Sequence, residues 1–491
     1  MEYATILFLL GNVFQHILEE KNMRKALKVI VAIIAAIVIA ALIFGYHYLS
    51  SIAPIATGYA AKILCSSVYV SGRDYESVIS EDLEMIGDYK IKAWLDEKGR
   101  AAEASMLGMF KRRALYREGL GCTLVVGVEE DELREQAVGV ECLPLEKSDL
   151  PWPQGDLASG EIPKGIDREK LAAAVDKAFA EVPGRGSRRT RAVAVVYRGE
   201  IVAERYGVGI TRDTPLLGWS MTKSVINALV GILVGQGKLD LYAPAPVPEW
   251  QAPDDPRGKI TLDQLLRMES GLRFVEEYEE NIDSDCNTML FNSPDGGGFA
   301  AAMPLEAEPG SRWSYSSGSA SILARIVRHA SGTSQAEQFD FPRRALFERI
   351  GMSRAIMEPD PAGAFMGSSF MYATARDWAR FGLLYLNGGV WMGERILPDG
   401  WVTYSTTLTP HAHPGEAYGK LFWLNTGKNT RWIPELPEDM FSANGHEGQY
   451  VMVIPSRYLV VVRLGLTRGP STREILSFVA AILDALPNSK G

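Results

Sequence analysis

The stretch Trp219-Ser220-Met221-Thr222-Lys223 contains the only Ser-x-x-Lys spacing in the chain. Side chains three positions apart share one face of a helix, so the Ser220 hydroxyl and the Lys223 ammonium can reach hydrogen-bond distance. A serine hydroxyl is a weak nucleophile until a neighbouring base takes its proton, and a suitably placed lysine can be that base. The pair therefore predicts a catalytic serine. A surface serine beside a solvated lysine is the alternative when this motif is taken alone.

The pattern around this motif predicts where Ser220 lies in the local structure. Apolar residues recur at helical spacing after Lys223 until two glycines end the run, which predicts a buried helix that begins at Ser220. A helix N-terminus offers amide donors and positive potential, where an oxyanion can bind. Upstream, the pattern predicts an amphipathic helix over residues 167–182 and a β-hairpin over residues 191–209.

The composition is that of an ordinary globular chain. Its 491 residues are 47% apolar and 23% charged, which is enough for two or three domains and a large core. The net charge of -9 argues against nucleic-acid binding, because phosphate recognition needs a basic surface. We therefore expect no nucleic-acid partner, and the sequence leaves the oligomeric state open.

An uncharged apolar run near the N-terminus predicts a membrane segment. Eighteen residues, VIVAIIAAIVIAALIFGY at 29–46, follow a cluster of lysine and arginine. A helix of this length spans a bilayer, and the basic side stays in the cytoplasm. We expect a transmembrane anchor over residues 28–47 with the rest exported to the periplasm; a cleaved signal peptide is the alternative. Residues 1–22 are an uncertain leader, because Met23 would also be a conventional start.

The cysteines all follow the predicted anchor. In an exported domain disulfides are permitted, and four cysteines allow three complete pairings, with free buried thiols as the alternative. The four are Cys65, Cys122, Cys142 and Cys286.

No cysteine or histidine spacing in the sequence is typical of a metal site. His411 and His413 lie in a proline-flanked loop without another ligand close by in the sequence. We expect neither a metal nor a cofactor.

Changes in residue pattern divide the remainder of the chain. Residues 60–150 alternate short apolar and charged segments, which predicts a small α/β lead-in region that acts as a spacer or cap. A Pro/Gly-rich stretch at 151–165 predicts a linker. The denser pattern over 166–487 predicts the main domain. A purely structural role for the lead-in region remains open.

Two further motifs follow Ser-x-x-Lys in the chain. Tyr315-Ser316-Ser317 lies in a polar turn before an apolar helix, and His446-Glu447-Gly448-Gln449 leads into the strand YVMVIP. Their order resembles that of the serine β-lactamase and penicillin-binding-protein superfamily, with its S-x-x-K, S/Y-x-N and K-T-G elements. The stretches at 260–272 and 372–381 resemble framework segments of its class C branch.

Within this superfamily the chain is most similar to 6-aminohexanoate-dimer hydrolases and family VIII carboxylesterases. The resemblance covers roughly residues 165 to 487. It implies a β-lactamase/transpeptidase-like α+β fold with an antiparallel sheet flanked by helices and a second, helical lobe, and with the site between them. It also implies a serine hydrolase that acts through an acyl-enzyme.

The resemblance assigns roles motif by motif. Ser220 would attack a carbonyl group. Lys223, together with Tyr315 if the lysine holds it as a phenolate, would take the serine proton and return it to the leaving group. The backbone amides of Ser220 and Gln449 would form the oxyanion hole, and Gly448 would let substrate approach the strand.

Two departures from the superfamily pattern bear on the substrate. His446 stands where the lactamases carry lysine, and a mostly neutral imidazole binds a carboxylate less well. Ser317 stands where they carry asparagine, so an amide's two-sided hydrogen bonding is lost. Both favour a small-molecule ester or amide over a β-lactam or D-alanyl peptide. The alternatives are a penicillin-binding or sensor module acylated without efficient turnover, and a β-lactamase or D-alanyl peptidase.

An acidic loop at residues 274–285 is a further candidate for substrate contact. In the aminohexanoate hydrolases the corresponding region contributes a tyrosine and an acidic residue, which would be Tyr278 and Asp285 in this chain. If both face the cleft, they would favour a cationic amine on the substrate. A solvated loop is the alternative.

Overall fold

Two units make up the chain, Met1–Pro54 and Ile55–Gly491. They are seen in a computed structural model that describes residues 2–140, 150–158, 162–181, 186–278, 281–413, 415–427 and 431–487. Cys142 and the side chains of most of the 1–22 leader lie outside this description. Helix α1 (Glu2–Tyr69) contributes residues to both units.

The first unit contains the apolar run near the N-terminus. The described part of α1 from Met23 to Tyr69 includes an 18-residue window of mean hydropathy 3.1 in which no side chain is buried. Length and composition make it a candidate membrane span, and a signal sequence would have the same features. The predicted segment at 28–47 lies within this helix.

The lead-in region folds as a small antiparallel meander between short helices. Cys65 near the end of α1 forms a disulfide with Cys122 on the last strand of the meander, whereas Cys286 is a free, buried thiol. The elements are α2 (Tyr75–Ser77), β1 (Ile91–Asp96), β2 (Ala101–Met106), β3 (Met109–Arg117), β4 (Gly121–Leu124) and α3 (Glu130–Gln136).

A buried carboxylate joins the lead-in region to the rest of the second unit. Glu358 is fully buried and pairs with Lys62, whose side chain is 3% exposed. It also accepts hydrogen bonds from Ser66 Oγ at 2.8 Å and from the Cys122 amide at 2.6 Å. Burying a carboxylate is unfavourable unless it is paired and hydrogen-bonded, and these partners meet that need.

The helix and hairpin predicted ahead of the Ser-x-x-Lys motif are both confirmed. Helix α4 (Arg168–Phe179) begins at Asp167, whose side chain accepts the Lys170 amide at 3.0 Å. Strands β5 (Thr190–Tyr197) and β6 (Glu200–Tyr206) pair antiparallel. Arg198 and Gly199 between them have φ of 52° and 86°, as a type I′ turn requires.

The remaining helices and strands of the second unit, which we call its main body, follow in chain order. β7 (Leu216–Leu217) leads into α5 (Met221–Gly235), and the helices α6 (Leu262–Leu266), α7 (Asp285–Asn292), α8 (Gly296–Ala301), α9 (Ser317–Ser331) and α10 (Gln335–Pro342) follow. Next come β8 (Ile356–Met357), β9 (Met371–Ala373), α11 (Ala375–Leu386), β10 (Val390–Trp391), β11 (Glu394–Arg395) and α12 (Trp401–Ser405). The last elements are β12 (Trp423–Leu424), β13 (Phe441–Gly445), β14 (Gln449–Ile454), β15 (Leu459–Gly465) and α13 (Thr472–Ala485).

A six-stranded antiparallel sheet is the centre of this body. Its strand order is β12-β13-β14-β15-β5-β6. Helices α4 and α13 cover one face with apolar side chains. Helix α11 packs on β14 and β15, where Gly382 lies so close that a Cβ there would strike Val460. Helices α5 to α10 pack on one another and form the helical lobe. The predicted antiparallel sheet flanked by helices is confirmed.

The Glu358 pairing gives a stability prediction. Replacing Lys62 by methionine leaves the Glu358 carboxylate buried without its cation, so we expect the free energy of unfolding to fall by about 3–5 kcal/mol. Chemical denaturation of the purified protein measures the change. Lys98→Met at an exposed lysine is the matched control, and a Lys62→Met variant as stable as that control would contradict the role of the pair.

Candidate active site

Ser220 is the residue immediately before α5, on a turn whose backbone is fixed by contacts on either side. Its neighbour Trp219 has a left-handed backbone with φ of 47°, a region that non-glycine residues rarely adopt. The Gly218 amide donates to Met371 O at 2.8 Å, and a Cβ at Gly218 would strike the Trp378 ring. The turn therefore fixes Ser220 while leaving its side chain partly exposed.

Lys223 is buried directly beneath Ser220. The residue is 1% exposed, and its ammonium group donates to Ser220 Oγ at 2.9 Å, Ser317 Oγ at 2.9 Å and Ser368 O at 3.0 Å. Three acceptors match the three donors of an ammonium group. The predicted approach of Ser220 and Lys223 is therefore present, and the same lysine reaches the second motif.

Tyr315 lies beside this pair. The Lys223 ammonium is 4.9 Å from the centre of the Tyr315 ring, and the Trp423 ring centre lies 5.4 Å from that of Tyr315. Burial raises the pKa of the Tyr315 phenol, although the Lys223 charge and hydrogen bonds with Ser220 and Lys223 oppose the rise. The free site thus favours a protonated phenol, in contrast to the phenolate that the sequence resemblance suggested.

Glu276 is a site residue that sequence reasoning missed. Its carboxylate accepts the Ser317 amide at 2.6 Å and Ser317 Oγ at 2.5 Å, at the N-terminus of α9. A carboxylate is stabilised at that end of a helix. Ser317 therefore connects Glu276 to Lys223. The only sequence signal was the acidic loop, in which no pattern distinguishes this glutamate from its neighbours.

The two residues of the acidic loop that were predicted to contact substrate, Tyr278 and Asp285, have different surroundings. Tyr278 donates to Glu276 Oε1 at 3.1 Å, lies 3.4 Å from Ser317 Oγ, and stacks on the His446 imidazole with ring centroids 5.1 Å apart. Asp285 instead accepts the Val275 amide at 2.8 Å and begins α7. Tyr278 thus joins the cleft network, while the contact seen for Asp285 holds the loop itself.

The third motif forms a tight turn against the Ser220 turn. Gly448 has φ of 82°, and a Cβ there would strike the Arg463 guanidinium. Gln449 locks the turn, because its side chain donates to Gly465 O at 2.7 Å and accepts the Gly465 amide at 2.9 Å. A Cβ at Gly445 would collide with Gly218 O. The two segments that carry the predicted oxyanion amides are therefore in direct contact.

The two loop histidines have other surroundings. His411 Nδ1 lies 3.2 Å from Glu269 Oε1, and the His413 ring packs edge-on against Trp313. Among the described residues no group of three or more His, Cys, Asp or Glu could hold a metal ion.

The sequence profile of the Beta-lactamase family matches residues 175–482. This chain belongs to the Beta-lactamase family. The match spans more than half of the chain and includes the segments that carry Ser220, Lys223, Tyr315 and Gln449. The resemblance predicted from the motif order is confirmed for the superfamily, and the chain is a serine hydrolase of this fold; the class C placement stays a prediction.

Relatives within the family are named as hydrolases. The chain is 26% identical over 314 residues to the 6-aminohexanoate-dimer hydrolase of Paenarthrobacter ureafaciens, covering 60% of this chain and 79% of the relative. A solved structure from Bacillus anthracis, assigned provisionally as a 6-aminohexanoate-dimer hydrolase, is 27% identical with a TM-score of 0.51, over 61% of this chain and 81% of that one.

A more distant structure shares the fold. The octameric penicillin-binding protein homologue of Pyrococcus abyssi is 21% identical with a TM-score of 0.50, over 65% of this chain and 78% of that chain. At this identity the likeness shows the fold alone.

The Glu276 contacts give a prediction for this site. A glutamine at 276 keeps one acceptor oxygen instead of two, so either the amide or the hydroxyl of Ser317 loses its partner and Lys223 loses its support. We expect Glu276→Gln to lower kcat by about tenfold or more, because a hydrogen bond to a charged group contributes about 1.5–3 kcal/mol. Steady-state ester hydrolysis measures the change.

The neighbouring glutamate supplies the control. Glu277 is exposed, so Glu277→Gln makes the same chemical change outside the Ser317 contact and should leave kcat within twofold. Equal rates for the two variants would show that the Glu276 contact does not support catalysis.

Proposed function

We propose that the chain is a membrane-anchored serine hydrolase that cleaves a small-molecule ester or amide through an acyl-enzyme at Ser220. The observation that carries this proposal is the 2.9 Å contact between the buried Lys223 Nζ and Ser220 Oγ. A nucleophile within hydrogen-bond distance of a base, itself oriented by further groups, is the usual arrangement for covalent catalysis. Here Ser317 and Ser368 supply the orientation.

The proton path follows from these contacts. Lys223 acts as the base after its ammonium group has lost one proton to solvent, and the neutral amine takes the Ser220 proton while Ser220 Oγ bonds to the substrate carbonyl carbon. The protonated Tyr315 phenol gives its proton to the leaving oxygen or nitrogen and is reprotonated from Lys223. Water then attacks the acyl-enzyme, its proton passes to the same groups, and Ser220 leaves with a proton. The amides of Ser220 and Gln449 stabilise the negative oxygen in both halves.

The surroundings of the cleft support an ester or small amide as substrate. His446 is stacked on Tyr278, so the third motif presents an aromatic surface where a lysine would present a charge. Glu276 adds negative charge nearby, which favours a neutral or cationic substrate over an anionic one. The name of the Paenarthrobacter relative, a 6-aminohexanoate-dimer hydrolase, supports an amide that carries an amine. Tyr278, Asp285 and Gly448 stay our candidates for substrate contact.

The proposed location is the exported side of a cell membrane. The apolar helix after a basic cluster supports an anchor with its N-terminal side in the cytoplasm. The Cys65–Cys122 disulfide supports an oxidising compartment for the second unit.

Turnover of a short ester tests the nucleophile. We expect the full chain to release p-nitrophenol from p-nitrophenyl butyrate, with many product molecules per enzyme, and Ser220→Ala to lose at least about 10³-fold in kcat because it has no group to acylate. Release that stops after one equivalent would instead indicate a penicillin-binding or sensor-type module. Equal rates for the wild type and Ser220→Ala would refute the proposal.

A second prediction concerns the base. Lys223→Met keeps the length of the side chain and removes the amine, so we expect kcat to fall by about 10²–10⁴-fold, the range for general acid–base catalysis. Lys238→Met is the matched control, since Lys238 is exposed just beyond the far end of the same helix. Circular dichroism checks that both variants are folded. A Lys223→Met rate equal to that of Lys238→Met would exclude Lys223 as the base.

A further inference from the structure

The Glu447 carboxylate lies between the two backbone segments that carry the proposed oxyanion amides. Its Oε2 accepts the indole N–H of Trp219, the residue before Ser220, at 3.2 Å. Its own backbone belongs to the other segment, two residues before Gln449, where Glu447 O accepts Gln449 Nε2 at 3.2 Å and the Thr467 amide at 2.9 Å. One side chain thus connects both segments.

The two residues joined by this contact share an unfavourable backbone conformation. Trp219 has φ of 47° and Glu447 has φ of 58°, and neither is a glycine. Such residues cost free energy and persist only where the surrounding contacts hold them, often at active sites. The hydrogen bond between Trp219 and Glu447 is one contact that helps to hold both residues in this conformation.

Arg468 holds the carboxylate from the other side. Its Nη2 donates to Glu447 Oε1 at 3.3 Å, and the Glu447 side chain is 10% exposed, so solvent screens the pair weakly. Arg468 is itself fixed by the lead-in region, because its Nη1 donates to Glu84 Oε1 at 2.8 Å and its Nη2 to Asp82 O at 3.1 Å. The lead-in region is thereby linked to the turn before Ser220.

A small cavity beside Trp219 makes the position of its indole depend on the hydrogen bond to Glu447. It has a volume of about 30 Å³ and is lined by Trp219, Glu447 and Gln449, together with Tyr59 of α1 and Asp82 of the lead-in region. Close packing would otherwise hold the indole in place. Because there is free space beside it, an indole released from Glu447 can shift, and the Ser220 amide would shift with the adjoining backbone.

We propose that Glu447 is a positioning residue that sets the spacing of the Ser220 and Gln449 amides, and that Arg468, held by residues 82–84 of the lead-in region, keeps it in place. The inference rests on the proposed function, since it concerns the oxyanion hole of that reaction. It gives the lead-in region a part in catalysis that the sequence left open.

Five variants of the full chain test the proposal by kcat and KM on p-nitrophenyl butyrate. Glu447→Ala and Trp219→Phe each remove one partner of the hydrogen bond, and we expect kcat to fall at least tenfold while KM stays within twofold. The double variant should lose little more than the worse single variant, because both remove one contact. Glu447→Gln keeps an acceptor for the indole and should keep kcat within about threefold. Arg468→Met should have a kcat between that of Glu447→Ala and that of Glu447→Gln.

A transition-state analogue separates positioning from a general structural role. We expect Glu447→Ala to weaken binding of an alkyl trifluoromethyl ketone by about the same factor as kcat, because the ketone's oxyanion uses the same amides. The control is Arg473→Met, which removes an arginine from an exposed pair with Glu435 and should change neither value.

The outcomes distinguish the inference from the proposed function. If Ser220→Ala is inactive while Glu447→Ala and Trp219→Phe keep wild-type kcat, the positioning role is wrong and the proposed function stands. If Ser220→Ala turns over as fast as the wild type, the proposed function itself fails. A loss of thermal stability with unchanged kcat and ketone affinity would also overturn the inference. Should Glu447→Ala not fold, Trp219→Phe, which keeps an aromatic ring in place, decides the question.

Discussion

The structure of the site depends on one requirement, which is that the buried Lys223 ammonium needs hydrogen-bond acceptors. An isolated charge in a protein interior is strongly destabilising, whereas one with well-placed acceptors is tolerated. Ser220 Oγ, Ser317 Oγ and Ser368 O supply them from three parts of the chain. Satisfying the lysine therefore brings the nucleophile, the second motif and the loop before β9 to one point.

The surrounding elements approach closely because glycines stand where they meet. Gly367 lets the loop that carries Ser368 lie between α5 and α9, since a Cβ there would strike Ile226 and Ala324. Gly445 does the same where β13 meets Gly218 O. These contacts place the end of β13, the helical lobe and the Ser220 turn close to one another, and that proximity is what the acyl-enzyme chemistry requires.

The sequence predicted those parts of the site that depend on local spacing. Ser220 and Lys223 share a helix face by their separation alone, and the hairpin at 191–209 follows from alternation around a turn. Glu276 could not be chosen within its acidic loop, because its role comes from a helix N-terminus 41 residues later. The link from Glu84 through Arg468 to Glu447 joins residues 384 and 21 positions apart, and no local pattern records it. Tyr315 was recognised by its motif, but its protonation depends on burial.

Covalent labelling tests the central claim, that Ser220 is the nucleophile, most directly. The full chain is treated with a fluorophosphonate, its intact mass is measured, and the modified peptide is sequenced by mass spectrometry. We expect one adduct per chain, on the peptide that contains Ser220, and no adduct on the Ser220→Ala variant. An adduct on a different residue, or an unlabelled wild type that still hydrolyses ester, would contradict the assignment.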